Sequence, residues 1–543
     1  MMRIISKLSC CILFSATVLF ASCNKEEAPD NPSGSPSDGI EVELGAGMDW
    51  CGVVVDSDGD PVEGVTVSDG YSCVSTGADG IWQLKGSDHS ERIFISIPAE
   101  YQVPMADGLP CFWQTIEKGK TRYDFVLTPL AAPENDFFLF CLADPQCQNN
   151  DRHTKRFIAE SVPDVHKTAT EYSKKYPVYG ITLGDIGYNV SGTEYNISRG
   201  IFKTMKTAMA SEKTGFPLFQ LIGNHDHHLI ATNTSYNEEA DIEMEKYFAK
   251  SFGPVNYSFN RGRAHIVAMD DILATNPESS YSCGFRDDQV EWLKQDLANV
   301  PKDKLLILCV HIPLYSGSSR KNVKTVLEMC KEFAECHIMS GHTHRSINTP
   351  SAAGTGIYEH THGAVCGAWW WSTVNTDGTP NGYGIYTVNG NHISDWLYKG
   401  VDMEASDQIR LYRGNLAYMN GKAQTYSFAM TSAADIWANI WNWDSSWTVD
   451  VYEDGVKTGR MSIYNNDNSA RDAWAVGYHV GVIGRSAQNY DKTNVKHLLH
   501  YTLKNPQAAV EIRATDRFGH EYVQNVFTGN THEFWPIAPG DNY

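Results

Sequence analysis

Six short apolar runs punctuate the middle of the chain, at residues 137–142, 178–183, 217–222, 265–269, 305–310 and 337–339. Continuous apolar runs of this length, closed by glycine or polar residues, read as strands buried on both faces. Longer stretches with helical spacing lie between them, at 155–175, 201–211, 239–252, 287–298 and 323–334. This alternation predicts an α/β domain over residues 132–402. In such domains ligands collect at the carboxyl ends of the strands.

The pattern changes on both sides. Across 47–131 the runs shorten and turn signals recur, with Asp58-Gly59, Asp69-Gly70 and Asp79-Gly80 separating strand-like segments. That texture predicts a small β-sandwich. From 403 to 543 a turn-separated β texture returns, giving a third, β-rich domain. Residues 23–46 are rich in Pro, Ser, Gly and acids and read as a flexible tether. The first 22 residues carry Arg3 and Lys7 and then an apolar run too short to span a bilayer, the pattern of a signal peptide.

Composition narrows the function. The 543 residues are 42% hydrophobic and 20% charged, as in ordinary globular proteins. A formal charge of -21 argues against a broad surface for nucleic acid, because nothing offsets phosphate repulsion. A small phosphate ester at a metal site stays compatible, since the ions bring the positive charge. No CxxC pair occurs among the 13 cysteines, so a zinc ribbon is not expected. Cys51 and Cys73 are a candidate disulfide, and Cys141 and Cys309, inside apolar runs, are expected as buried thiols.

Five of the predicted strands end in ligand-type residues. They are Asp144-Pro145-Gln146, Gly184-Asp185-Ile186-Gly187-Tyr188, Gly223-Asn224-His225-Asp226, the lone His311, and Gly341-His342-Thr343-His344. Carboxylate, amide and imidazole together suit Mn, Fe or Zn. This ordered succession strongly resembles the motifs of the calcineurin-like metallophosphoesterase superfamily. The first domain also resembles carboxypeptidase-regulatory or transthyretin-like modules. With the stretch 377–383, the flanks resemble those of one bacterial subgroup.

The resemblance implies a four-layer αββα sandwich holding two divalent cations. One is held by Asp144, Gln146, Asp185 and His344, the other by Asp185, Asn224, His311 and His342, with Asp185 bridging. It further implies a metal-bridging hydroxide as nucleophile toward phosphate mono- or diesters, with His225, oriented by Asp226, assisting the leaving oxygen. Gln146 departs from the family's usual His and implies weaker binding or an altered preference at that metal, with His153 or Asp151 as compensating ligands. Trp370, Arg286 and Arg345 are candidate substrate contacts, the first because three consecutive Trp cannot all face inward from a strand. His360 and His362 are candidates for the pocket border. The expected substrate is a small or glycan-linked phosphate ester. The rival reading is a cell-surface glycan-binding lipoprotein that keeps the phosphoesterase fold inertly.

Leu19-Phe20-Ala21-Ser22-Cys23 resembles the lipobox of bacterial lipoproteins, which implies lipidation at Cys23. Asn24-Lys25-Glu26-Glu27 resembles a lipoprotein export signal. Together they place the expected protein on the outer membrane by its lipid anchor, facing the cell surface, with a periplasmic orientation as the alternative.

Overall fold

The computed structural model describes residues 35–188, 200–228, 236–276, 280–315, 319–414, 418–419, 422–423, 431–464, 470–485 and 493–528. Cys23 and the signal segment lie outside them. No helix among the described residues is long and apolar enough to cross a membrane.

Two sheets stack at the centre. In the first, Asp136–Leu142 runs parallel to Val178–Thr182, which runs parallel to Leu218–Phe219. The antiparallel hairpin of Gly382–Asn389 and His392–Gly400 completes it. In the second, Ala264–Ala268, Leu305–Cys309, Glu335–Ser340 and Tyr358–Thr361 run parallel, flanked by antiparallel Tyr257–Arg261 and Ile347–Thr349. Side chains alternate between the two faces of each strand. Phe137, Leu139 and Cys141 therefore face Ile266, Ile307 and Cys309 in one core between the sheets. Phe138, Phe140 and Leu142 meet the helices Val162–Tyr172, Ile201–Met209 and Glu238–Phe252 on one outer face. Leu306, Leu308 and Ile338 meet Asp287–Ala298 and Val323–Cys330 on the other. This is the four-layer αββα arrangement.

A three-stranded and a four-stranded sheet form the N-terminal sandwich, and its core is continuous with that between the central sheets through Trp82, Phe94 and Phe112. Two four-stranded sheets form the C-terminal unit. The 377–383 stretch joins it to the centre: Asp377, buried, accepts from Ser346 N (2.9 Å) and pairs with His497 (3.0 Å). Cys51 and Cys73 lie in different sheets and are free thiols, as are Cys141 and Cys309.

Two elements depart from the expected pattern. The apolar run at 217–222 keeps only Leu218–Phe219 as strand before the 3-10 turn Asn224–Asp226. The helix expected from 155 starts at Asp151, capped by the Asn150 side chain, and passes through a π turn at Phe157–Ser161. Pro163 follows at once; it has no N–H to give, and the ladder loosens there.

Candidate metal centre

All five motif loops emerge at one edge of the two sheets. The parallel strands dictate this, because each delivers its loop at its carboxyl end. Loops from opposite sheets are tied together: His311 Nδ1 donates to the Leu183 carbonyl at 2.8 Å, and His342 N–H donates to Asp144 Oδ2 at 2.9 Å.

The turns that present these side chains are strained. Asp144, Gln146, Asp185, His342 and His344 all have positive φ, between 38° and 65°. Non-glycine residues enter that region at a cost, and such outliers gather where function fixes the backbone. Space is equally tight. A Cβ on Gly223 would stand 2.2 Å from Asp185 N and 2.4 Å from Asp185 Oδ1. Only glycine lets these two loops touch.

The predicted ligands converge in two groups around Asp185, itself 1% exposed. On one side, Asn224 Oδ1 lies 3.1 Å from both His311 Nε2 and His342 Nδ1, and those nitrogens are 3.2 Å apart. His311 donates from Nδ1 to Leu183, so its Nε2 is turned toward Asn224 and Asp185; burial opposes a second proton there, but the Asp185 charge raises the His311 pKa to about 10. A cation bound among these three atoms takes the place of that second proton. Asp185 Oδ2 is 3.4 Å from the same Nε2. On the other side, Asp144 Oδ1 lies 3.5 Å from His344 Nε2, and Gln146 Nε2 donates to Asp185 Oδ2 at 2.7 Å. Asp144 Oδ1 and Gln146 Oε1 are buried and accept no hydrogen bond. Buried, unpaired oxygens are costly unless an ion takes them up. The residues present thus fit two cations. Burial would raise the Asp185 carboxyl, but His311 and His225 beside it hold it well below the usual range.

Asp151 and His153 do not back up Gln146. Asp151 is surface-exposed and paired with Lys155 at 2.6 Å. His153 accepts from Gln148 N at 3.1 Å, and burial, with Arg152 alongside, lowers its pKa to about 4.

His225 is half-buried at the centre's rim, with its N–H donating to Asp185 Oδ1 at 2.8 Å. Its expected partner is a correction. Asp226 does not orient the imidazole; its carboxylate accepts the backbone N–H groups of Ile186 (3.0 Å), Gly187 (2.8 Å) and Gly223 (3.0 Å). It is a staple between two ligand loops. Burial and the nearby Asp185 charge push its carboxyl up to about 7, against the pull of those three donors.

Two expected substrate contacts are also corrected. Trp370 is 0% exposed. Residues 369–371 form a turn, with Trp369 and Trp370 at positive φ, so the alternation of a strand does not apply. Trp370 Nε1 donates to the Pro145 carbonyl at 2.9 Å and buttresses the first ligand loop from behind. Arg286 is buried at 1% exposure among Glu245, Asp241 and Asp288. Arg345 is half-buried, and its Nε has no partner. His360 and His362 are enclosed, the first against His337 at 3.0 Å, the second against Tyr386 at 2.8 Å, so neither borders the pocket.

The sequence reading passed over an aromatic rim. Tyr188 stacks on His225 (5.0 Å between ring centroids), Tyr281 stands edge-on to His342 (5.9 Å) and Trp369 lies against His344 (5.1 Å). Tyr188 closes the second motif, so it alone of the three was in view in the chain. Asp271 was also missed: it accepts from His311 N at 3.0 Å and fixes that loop. A second buried grouping, His227, Glu245 and Asp270, has metal-type donors, but Arg286 already neutralises it.

Three family profiles match the chain: the N terminal of calcineurin-like phosphoesterase over residues 48–130, calcineurin-like phosphoesterase over 143–346, and the C terminal of calcineurin-like phosphoesterase over 359–522. No curated protein matches significantly. Among solved structures, PhoD is similar at 10% identity, over 69% of this chain and 83% of that one, with a TM-score of 0.32. A purple acid phosphatase from yellow lupin (Lupinus luteus) seeds is similar at 12% identity, over 64% and 68%, with a TM-score of 0.32. A 5'-nucleotidase from Candida albicans is similar at 12% identity, over 50% and 51%, with a TM-score of 0.31.

Proposed function

Because the chain belongs to the calcineurin-like phosphoesterase superfamily, we propose that it hydrolyses small phosphate esters at a centre of two divalent cations. The observation that carries this reading is the pair of ligand-type groups flanking Asp185, one in which Asn224 Oδ1, His311 Nε2 and His342 Nδ1 lie 3.1–3.2 Å apart and the other with two unpaired buried oxygens. Asp144, Gln146, Asp185 and His344 would hold one ion, and Asp185, Asn224, His311 and His342 the other. When bound, such a pair of Mn, Fe or Zn ions neutralises phosphate charge and makes water acidic enough to supply hydroxide near neutral pH.

The chain's own groups do the rest. His225, fixed through its backbone by Asp185 and stacked on Tyr188, presents its imidazole at the rim. As the water oxygen bonds to phosphorus and the ester P–O bond breaks, His225, when protonated, gives its proton to the departing alcohol oxygen; burial lowers its pKa, so this form is favoured on the acid side of neutral. Arg345, next to His344, supplies a charge-assisted contact to a phosphate oxygen. Gln146, a neutral amide in place of a basic nitrogen, makes the first ion the weaker-held of the two. Burial takes Trp370 out of the glycan-binding alternative and leaves it the half-buried Trp369 and Trp371. An acidic surface fits a compact ester, free or glycan-linked, better than a polymer, and the lipobox-like segment fits export to the outer membrane.

The test is turnover of p-nitrophenyl phosphate and bis-p-nitrophenyl phosphate by the full chain with Mn, Fe or Zn. Hydrolysis of either is expected, and Asn224→Ala should lower it at least about 100-fold. Failure with every metal, or an Asn224→Ala variant as active as the parent, would overturn the reading.

A further inference from the structure

The C-terminal domain packs against the turn that carries the tryptophans, where Ser372 Oγ also contacts His479 Nε2 at 2.7 Å. Arg485, after the π turn Gly477–Val482, places its guanidinium carbon 3.8 Å from the centroid of the Trp371 ring. Arg152, from the helix that follows the first ligand loop, places its own at 3.5 Å. Two guanidinium carbons cannot share one face of a ring at these distances, so they flank the indole. Trp371 follows Trp369, which lies against His344, and the sandwich therefore stands on the Asp144, Gln146 and His344 side of the centre.

Stacking on the ring attracts each cation, but it does not cancel their mutual repulsion. Among the described residues Arg485 makes no ion pair, and its Nε is buried without a hydrogen-bond partner. In a chain of formal charge -21 an arginine without a carboxylate partner is conspicuous. Clamped against an indole, a guanidinium keeps its in-plane N–H edge for one task, paired hydrogen bonds to a phosphate.

We propose that Arg485, Trp371 and Arg152 form a subsite for a second phosphate group on the substrate, so that the preferred esters are bisphosphates. This rests on the phosphoesterase reading above. Arg485 is then a specificity residue lent to the catalytic domain by its C-terminal neighbour.

The test compares glucose 1,6-bisphosphate with glucose 1-phosphate on the Mn-loaded full chain. The bisphosphate should be favoured in kcat/KM by about tenfold or more, the worth of one charge-assisted hydrogen bond. Arg485→Gln should erase that preference through KM, and Arg485→Lys should keep part of it. No preference in the parent, a preference that survives Arg485→Gln, or an equal loss on both esters with a lowered Tm would overturn the proposal; the last would make the stack a domain tie only. If neither ester nor p-nitrophenyl phosphate is turned over, the phosphoesterase reading fails separately. Calorimetric titration with glucose 1,6-bisphosphate then reads the clamp alone. Binding about tenfold weaker in Arg485→Gln supports it; equal or absent binding overturns it.

Discussion

Asp185→Asn is expected to lower kcat by roughly 10⁴-fold while leaving the fold intact, since a cation pair supplies several kcal/mol of charge stabilisation. The carboxylate stands between both donor groups, 3.4 Å from His311 Nε2 and 2.7 Å from Gln146 Nε2. An amide at this position still accepts the His225 N–H bond that spans the two loops. It cannot bridge two cations as an anion, so one ion or both should be lost. Steady-state kinetics beside metal analysis and a thermal melt check this. Activity within tenfold of the parent would mean that Asp185 is not the shared ligand.

The second large effect is on stability. Arg286→Ala should cost roughly 3–5 kcal/mol, because it strands buried carboxylates without their cation. Asp241 is 0% and Glu245 5% exposed, and both pair with the same guanidinium. Burial opposes the charge on Arg286, but Glu245, Asp288 and Asp241 outweigh it and keep the group ionised. The damage should also reach the centre. Beside Glu245, Asp270 pairs with His227 at 3.1 Å, and His227 Nδ1 contacts the Gly223 carbonyl at 2.9 Å. A fall in Tm of roughly 10 °C is expected for a domain of this size. A Tm within 2 °C of the parent, measured by scanning calorimetry, would show that the network contributes little.

The proposed metal ligands were legible in the chain because each sits just past an apolar run, and a parallel sheet sends all such ends to one edge. His311 alone would have meant nothing; its place in the order gave it meaning. Roles that depend on distant partners were not legible. Asp226 lies next to His225 in sequence, yet its partners are backbone N–H groups, two of them on the Asp185 loop. Arg286 precedes Asp287 and Asp288 and looks exposed, whereas the helix that buries it begins at Glu238. The three tryptophans looked like a strand because nothing local signals the left-handed backbone at Trp369 and Trp370. The hairpin Gly382–Asn389 and His392–Gly400 escaped notice because its polar and aromatic residues break up the apolar run that marks the other central strands.

Anomalous scattering from crystals soaked in Mn tests the central claim most directly. Two peaks about 3.5–4 Å apart are predicted, sharing the Asp185 carboxylate, one beside Asn224, His311 and His342 and the other beside Asp144, Gln146 and His344. Peaks placed elsewhere, or none between those side chains at saturating metal, would contradict it.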